Sequence, residues 1–344
     1  MANISQTVNI EMLEKLPDGT FKRKYPKTSY ENIVGSPTMS RTARFVIGTS
    51  TAGWTAADCD YLCDGTADQA EINAAITALP ATGGEVVILD GTYNITAKID
   101  VTKDNVSIRG NGNATILKRM FNSTAYEGVI TLTSRSGCKI ANLQVDGNGS
   151  SYTQIYNCGI HLYSSNSNTV AGSPCNNNNY GIYLDASSSN NTIAGNTYNN
   201  NDEGIYLYSS SSSNTITGNT CNNNSYGIDL VVSSSNTITG NTCNNNDFGI
   251  YLYSSSNNTV TGNTCNNNSS GIYLTNSSNN TSTGNTCIRG TGLATDYTAS
   301  QHTIQLSGTN NSYNLIAMNN CMGKAVTNGG GTGNTLVNNK FDAT

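Results

Sequence analysis

The side chains best suited to acid–base chemistry lie in the middle of the chain. They are five carboxylic acids: Asp185, Asp202, Glu203, Asp229 and Asp247. Hydrolysis of a glycosidic bond uses two carboxyl groups about 5 to 9.5 Å apart, and one or two strand spacings of about 4.8 Å can supply that distance. Single acids in repeated strands also discourage sheets from associating. For each acid the structural role is the more economical interpretation, and the catalytic role stays a candidate.

Lysine and arginine are absent between Lys139 and Arg289. Lyases and epimerases of acidic polysaccharides neutralise a substrate carboxylate and remove a neighbouring proton, commonly with Arg, Lys or bound calcium. The sequence therefore favours a hydrolase of neutral glycans over a lyase, with calcium as the one cofactor that could replace basic side chains. Otherwise we expect neither a cofactor nor a metal, because no metal-ligand cluster, triad or phosphate loop stands out.

Chemistry on the earlier part of the chain stays open. His161 could act as a base or could simply replace a tyrosine. Basic residues also precede the repeats: Arg109, Lys118, Arg119, Arg135 and Lys139.

Tyrosines recur at fixed spacing among the acids. If runs such as GIYLY are strands, their outward positions form two columns. The first is His161, Tyr183, Tyr206, Asp229, Tyr251 and Tyr273; the second is Tyr163, Asp185, Tyr208, Val231, Tyr253 and Thr275. Aromatic faces suit the C–H faces of sugar rings, so the tyrosines of these columns, with Asp185 and Asp229, are predicted to bind glycan on an exposed face. The alternative is a purely structural tyrosine ladder, because aromatic residues favour strands and stack on their own copies.

An internal repeat positions these residues. Its Gly-Ile steps are 22 or 23 residues long, at Gly159, Gly181, Gly204, Gly227, Gly249 and Gly271. Each unit holds short alternating runs separated by serine and asparagine turns, without helical spacing. Because such strands are too short to pair within one unit, identical units must stack in parallel. The repeat predicts an all-β solenoid, the parallel β-helix, of about ten to twelve coils over residues 85–341.

The same alternation predicts the core. Ile228 and Leu230 point inward and stack on their copies in adjacent coils, as do Ile216 and its copies. A cysteine column joins them: Cys175, Cys221, Cys243, Cys265 and Cys287, with Tyr198 in one coil. We interpret these as buried thiols, because in-register neighbours rarely meet disulfide geometry, whereas Cys59 and Cys63 could pair or remain free. The GNT asparagines are predicted to form an amide ladder: Asn196, Asn219, Asn241, Asn263 and Asn285.

A helix is predicted before the coils. Ile72, Ala75, Ile76 and Leu79 recur at helical spacing after a capping-box pattern, Thr66 with Gln69, and the first strand is expected at Val86–Leu89. The helix would lie across the first coil and cover its open end.

Composition excludes some partners. A net charge of -5 without a basic cluster gives no nucleic-acid signal. No run could span a bilayer, and the first residues lack the apolar core of a signal peptide, so we expect neither membrane insertion nor export by the usual route.

Two stretches resemble known families. CDYLCDGTADQAEINAAITALPATGGEVVILDGTYNIT is similar to the N-terminal cap of the pectate-lyase-like superfamily, particularly in bacteriophage and prophage tail proteins of Gram-positive hosts. The NNN-x-x-GIYL-x-x-SSSNNTI-x-GNT units resemble the right-handed β-helix repeats of the NosD and carbohydrate-binding, sugar-hydrolase type. These resemblances cover residues 58 to about 340 and are specific for fold rather than activity.

The segment before residue 46 differs in composition. Residues 1–45 hold seven Lys or Arg and four Asp or Glu, and KYPKT with ENIVG resembles the leading segment that attaches tail fibres to a phage particle. A flexible basic leader is the alternative. The predicted domains are this segment, a cap over 46–84 and the β-helix over 85–344.

The resemblance implies a bacteriophage or prophage tail spike or fibre component that binds a host surface glycan. Its expected partners are that polysaccharide and, through residues 1–45, phage tail or baseplate proteins; its expected location is the virion, and its expected assembly is a homotrimer. The alternatives are a polysaccharide-degrading enzyme and a purely structural spacer.

Overall fold

The computed structural model describes residues 12–15, 21–24 and 43–341. The chain divides into two compact units, Met1–Arg41 and Thr42–Thr344. In the first, strand β1 (Met12–Lys15) pairs antiparallel with β2 (Phe21–Lys24). Most of the segment predicted to attach to a particle, including ENIVG and all of KYPKT except Lys24, lies outside the described residues, and that role stays a prediction.

The second unit is built on two long parallel sheets. The first contains fifteen strands. They are β3 (Arg44–Thr49), β4 (Tyr61–Cys63), β5 (Gly84–Ile88), β6 (Gly91–Ile95), β8 (Val106–Arg119), β10 (Lys139–Asp146), β12 (Thr169–Ala171), β13 (Cys175–Asn176), β15 (Thr192–Ala194), β17 (Thr215–Thr217), β19 (Thr237–Thr239), β21 (Thr259–Thr261), β23 (Thr281–Thr283), β25 (Leu315–Ala317) and β27 (Thr335–Val337).

The second sheet contains ten strands and carries the GIYLY runs. They are β7 (Ile99–Val101), β9 (Glu127–Thr133), β11 (Asn157–Tyr163), β14 (Tyr180–Asp185), β16 (Glu203–Tyr208), β18 (Tyr226–Val231), β20 (Phe248–Tyr253), β22 (Ser270–Thr275), β24 (His302–Ser307) and β26 (Thr327–Asn328). Each strand pairs in parallel with its copy one coil away. The fold is therefore the predicted right-handed parallel β-helix.

The core consists of stacked copies of the same side chain. Ile228 pairs with Ile205 and Ile250, and Leu230 with Leu207 and Leu252. Ile216 lies between Ile193 and Ile238. All are fully buried, which confirms the predicted ladders. The ten cysteines are free, so Cys59 and Cys63 are unpaired and the core thiols form no disulfides.

The capping helix α1 spans Gln69–Ala78 and buries Ile72, Ala75 and Ile76. Its start differs from the predicted capping box, because Asp68 rather than Thr66 is the N-cap and no side chain caps the helix. Gln69 instead accepts a hydrogen bond from Thr96 N. Strand β3 also precedes the helix and pairs with β5, so the sheet begins earlier than Val86. No helix in the described ranges is long and apolar enough to cross a membrane.

Asparagine ladders join the coils at their turns. In the predicted GNT ladder, Asn241 Oδ1 accepts bonds from both the backbone N–H and the side-chain amide of Asn219, at 2.9 and 3.0 Å. The Asn241 amide donates to Asn263 Oδ1 and to the carbonyl of Ile216. Similar ladders begin at Asn168 and at Asn178. Turn residues that look suited to water are thus part of the buried hydrogen-bonding framework.

Replacing Asn241 by alanine should destabilise the fold substantially. The substitution leaves two donors of Asn219 and the Ile216 carbonyl without this partner, at a cost of about 1–3 kcal/mol for each buried unsatisfied group. We expect a clearly lower urea midpoint, whereas Thr237→Ala, an exposed position on the same coil, should change it little. Equal midpoints for the two variants would contradict a structural role for the ladder.

Candidate functional site

The outer face of the second sheet carries three columns of side chains rather than the two predicted. The additional column lies immediately before the glycine of each strand, at Cys158, Tyr180, Glu203, Tyr226, Phe248 and Ser270. Strict alternation fails at the glycine that follows. The rings of Tyr180 and Tyr183, three residues apart, stack at 5.3 Å on the same face. A Cβ on the intervening Gly181 would lie 2.5 Å from the carbonyl oxygen of Gly204, so only glycine allows this approach.

Aromatic rings from these columns, together with Tyr126 and Tyr156 just before β9 and β11, form a band along the sheet. It has two blocks. The first block is Tyr126, Tyr156, His161, Tyr163, Tyr180, Tyr183, Tyr206 and Tyr208; the second block is Tyr226, Phe248, Tyr251, Tyr253 and Tyr273. Each ring pair adds about 0.5–1.5 kcal/mol beyond area burial. Among the described rings, none of the first block stacks on one of the second.

The expectation of an openly exposed tyrosine face is wrong for the inner positions. Tyr183 is 1% exposed, and His161 and Asp229 are each 4% exposed. These side chains do project from the outer face, but the neighbouring column, missed by simple alternation, packs against them. Tyr206, Tyr251 and Tyr273 are half-buried. The strongly exposed tyrosines of the two predicted columns are Tyr163, Tyr208 and Tyr253, at 40–43%.

Two predicted acids meet at the boundary between the blocks. Glu203 and Tyr206 lie on β16, and they pair in register with Tyr226 and Asp229 on β18. The two acids are therefore diagonal neighbours, and so are the two tyrosines. Glu203 Oε2 and Asp229 Oδ1 are fully enclosed and accept no hydrogen bond. Sequence reasoning named both acids but placed Asp229 in solvent.

Burial controls the protonation of this pair. It raises the pKa of Asp229 well above its usual value. Burial, followed by the charges of Asp229 and Asp202, raises the pKa of Glu203 to about 9. With no basic residue between Lys139 and Arg289, the economical state at neutral pH is the protonated one. His161 is likewise neutral, because burial lowers its pKa to about 4.

The other predicted acids occupy different environments. Asp185 is partly exposed, and its Oδ1 accepts a 2.6 Å bond from the N–H of Ala186. Asp247 is exposed. Asp202 is exposed and accepts a long bond from the Asn179 amide, at 3.4 Å.

The earlier basic residues are largely engaged. Arg109 pairs with Glu85 at 2.7 Å, and Arg135 lies 3.7 Å from Asp104. Arg119 is fully buried and donates to the Asn157 side chain and the Cys158 carbonyl. These arginines therefore serve the packing of the early coils.

A polar cleft of about 580 Å³ lies beside the band. The irregular segment between β10 and β11 forms one wall. Its lining includes Asp146, Tyr152, Gln154, Asn178, Asn179 and Asp202. Asn178 is the first member of its ladder, and its buried Oδ1 has no partner. Amides and carboxylates without cations suit a hydroxyl-rich ligand. Sequence reasoning missed this cleft, although GNGSSYTQIYN departs visibly from the repeat.

Comparisons with solved structures identify the same architecture in other proteins. ORF18 of Geobacillus virus E2 is 16% identical with a TM-score of 0.64, over 96% of this chain and 66% of that one. The A-module of Azotobacter vinelandii mannuronan C-5 epimerase AlgE4 is 17% identical with a TM-score of 0.61, over 86% and 97%. The enzymatically active domain of tailspike protein 2 from bacteriophage CBA120 is 16% identical with a TM-score of 0.60, over 78% and 41%.

Such identities show a shared fold and nothing more specific. No curated protein matches the sequence significantly. The family described as periplasmic copper-binding protein (NosD) does match, over residues 82–258 and 210–344. Because these segments together cover well over half of the chain, the protein belongs to the NosD family of parallel β-helix proteins.

Proposed function

We propose that this protein binds polysaccharide through the outer face of its second sheet. The observation that carries the proposal is the set of exposed tyrosines, Tyr163, Tyr208 and Tyr253, on an aromatic band whose inner rings are already packed. Prepacked rings lose little conformational freedom on binding and offer flat apolar faces to sugar rings. Exposed aromatic strips of this kind usually mark an interaction surface.

The charges of the face favour a neutral glycan. Lysine and arginine are absent from residues 140–288, whereas Asp185, Asp202 and Asp247 lie on or beside the face. An anionic polysaccharide would meet carboxylates without a compensating cation. Neutral sugars instead offer hydroxyl groups that can donate hydrogen bonds to these carboxylates.

We further propose that the protein acts as a bacteriophage or prophage tail spike or fibre component. The likeness in fold to a viral protein and to a phage tailspike supports this role, as does the resemblance of the leading segment. A virion location, a homotrimer and contacts with tail or baseplate proteins through residues 1–45 belong to the same proposal.

Glycoside hydrolysis is the second candidate function. The observation that favours it is the pair of enclosed, unpartnered carboxyl oxygens of Glu203 and Asp229 next to the polar cleft. A carboxyl group that holds its proton at neutral pH is suited to protonate a leaving oxygen. Glu203 keeps part of its surface exposed, while Asp229 is buried, so Glu203 is the candidate proton donor.

Copper, which the family description names, is not supported by the buried thiols of Cys158 and Cys175 or by the described cluster of ligand-type side chains. Burial raises the pKa of the Cys158 and Cys175 thiols, so both are protonated at neutral pH. The one described group of three ligand-type side chains is Cys63, Asp68 and Glu71. There both Asp68 oxygens already accept backbone N–H bonds, and burial raises the pKa of Cys63. Calcium stays a prediction from the sequence.

Removing two exposed rings should weaken glycan binding. We expect the double variant Tyr208→Ala with Tyr253→Ala to lose at least about tenfold in affinity for neutral polysaccharides, since stacking area disappears while the inner band remains. Affinity electrophoresis with galactomannan, dextran and hydroxyethyl cellulose measures this. Tyr313→Ala removes an exposed tyrosine outside the band and should leave binding unchanged. A spacer without glycan affinity would show no retardation in any gel.

The hydrolase candidate predicts release of new reducing ends from the same neutral polysaccharides. Glu203→Gln should abolish that release while leaving binding intact, because the amide keeps the shape but cannot donate the proton. Asp247→Asn, at an exposed acid, is the matched control. Binding without reducing-end release by the wild type would reject hydrolysis of these probes and leave the binding function standing.

The acid pair also predicts that stability falls as pH rises from 7 to 8. The folded state keeps a proton on Glu203 up to a pKa of about 9, whereas the unfolded carboxyl is ionised. Because the folded state binds this proton more tightly, the free energy of unfolding is highest at low pH and falls as the pH rises towards 9. The fall is about 1.4 kcal/mol per pH unit for each carboxyl that is protonated only in the folded state. Buried thiols with a raised pKa, such as those of Cys158 and Cys175, add a slope of the same sign, so the comparison must be with Glu203→Gln.

Urea unfolding at pH 7 and pH 8 measures this slope. Glu203→Gln should lose less stability than the wild type over the interval, and Asp247→Asn should match the wild type. Identical slopes for Glu203→Gln and wild type would show that Glu203 is ionised in the folded protein.

A further inference from the structure

The exposed tyrosines of the second column recur on every second coil. Tyr163, Tyr208 and Tyr253 alternate with Asp185 and Val231. In the inner column, where tyrosines occur on consecutive coils, ring centroids are 4.9 Å apart for Tyr183–Tyr206 and 5.3 Å apart for Tyr251–Tyr273. These values match one strand spacing of about 4.8 Å, so rings two coils apart stand roughly 10 Å from each other.

We call the gap between Tyr208 and Tyr253 the Val231 notch, because Val231 forms its floor. Its two walls follow the orientation of the inner rings beside them. Tyr206 stacks on Tyr183 of the preceding coil with an angle of 15° between rings, and Tyr208 lies at only 23° to Tyr206. On the other side Tyr253 lies at 25° to Tyr251. The Tyr208 wall therefore turns its flat face towards the gap, and the Tyr253 wall follows the ring of Tyr251, which is tilted by 31° from Tyr273.

We propose that the Val231 notch holds one neutral pyranose ring between Tyr208 and Tyr253. Carbon atoms in contact lie about 3.5–4.0 Å apart, so a ring stacked on both faces needs roughly 7–8 Å between the walls. The two-coil gap supplies that space, whereas consecutive tyrosines would close it. Val231 provides an apolar floor for C–H groups, and sugar hydroxyls remain free to reach water.

The identity of the coil explains why the notch lies here. The same coil replaces tyrosine twice, by Asp229 in the inner column and by Val231 in the outer one, and it separates the two blocks of the band. The absence of lysine and arginine from residues 140–288 argues for an uncharged sugar. The corresponding gap at Asp185 differs, because the ring of Tyr163 stands at 70° to His161 and presents its edge.

This inference rests on the proposed glycan binding, and Val231→Tyr separates the two. Tyrosine at position 231 completes a column in register with Tyr208 and Tyr253, so the fold should tolerate it while the notch is filled. We expect at least about a tenfold loss of affinity for the neutral polysaccharide that the wild type binds best among galactomannan, dextran and hydroxyethyl cellulose. Polygalacturonate serves as the acidic probe and should not bind.

Two further variants keep the test decisive. Thr275→Tyr adds a ring next to Tyr253 on the following coil without entering the notch, and it should bind as the wild type does. Val231→Ala keeps the notch open and only trims its floor, so it should lose less affinity than Val231→Tyr. Urea midpoints establish that each variant folds. Unchanged or tighter binding by folded Val231→Tyr would overturn the notch and favour a continuous tyrosine surface, with glycan binding retained. Equal loss in Thr275→Tyr would also overturn it. A wild type that binds none of the probes would remove the proposed function itself.

Discussion

The in-register stacking of coils one strand spacing apart is the constraint on which the rest of the structure depends. A parallel pair brings the same repeat position directly above itself, so every residue type must be able to stack on its own copy. Isoleucine and leucine stack on their copies inside the core. Asparagine side chains form hydrogen bonds from one coil to the next, and glycine permits a close approach of the backbones. A polar composition is compatible with a stable fold because the asparagine amides bond to their copies and to backbone carbonyls along the helix axis.

The same constraint shapes the outer face. Tyrosines repeated at one position must stack on their copies. Side chains of two columns set three residues apart also pack against each other, so the inner rings and Asp229 are buried. Function is therefore most visible where the repeat is interrupted. The coil with Asp229 and Val231 splits the aromatic band, and the irregular segment before β11 opens a cleft at the edge of the band. Interruptions create concave features in a solenoid that would otherwise present a uniform ridge.

Sequence reasoning recovers the features that depend on local pattern. The repeat length, the Ile and Leu ladders, the free thiols and the apolar face of α1 follow from periodicity and from side chains meeting their copies. Features that depend on packing between columns are missed. Alternation correctly directs Asp229 outward. It does not show that the rings of Tyr180, Tyr206 and Tyr226 lie around the acids, because the break in alternation at the glycine puts residues three apart on the same face.

The central claim is that saccharide binds along the aromatic band of the second sheet. The most direct measurement is a crystal structure of the intact chain soaked with an oligosaccharide of whichever neutral polysaccharide it binds. The account predicts a sugar ring between Tyr208 and Tyr253 with its face parallel to theirs. Sugar density confined to the polar cleft at Asp146 and Asp202, or lying on the first sheet, would contradict it.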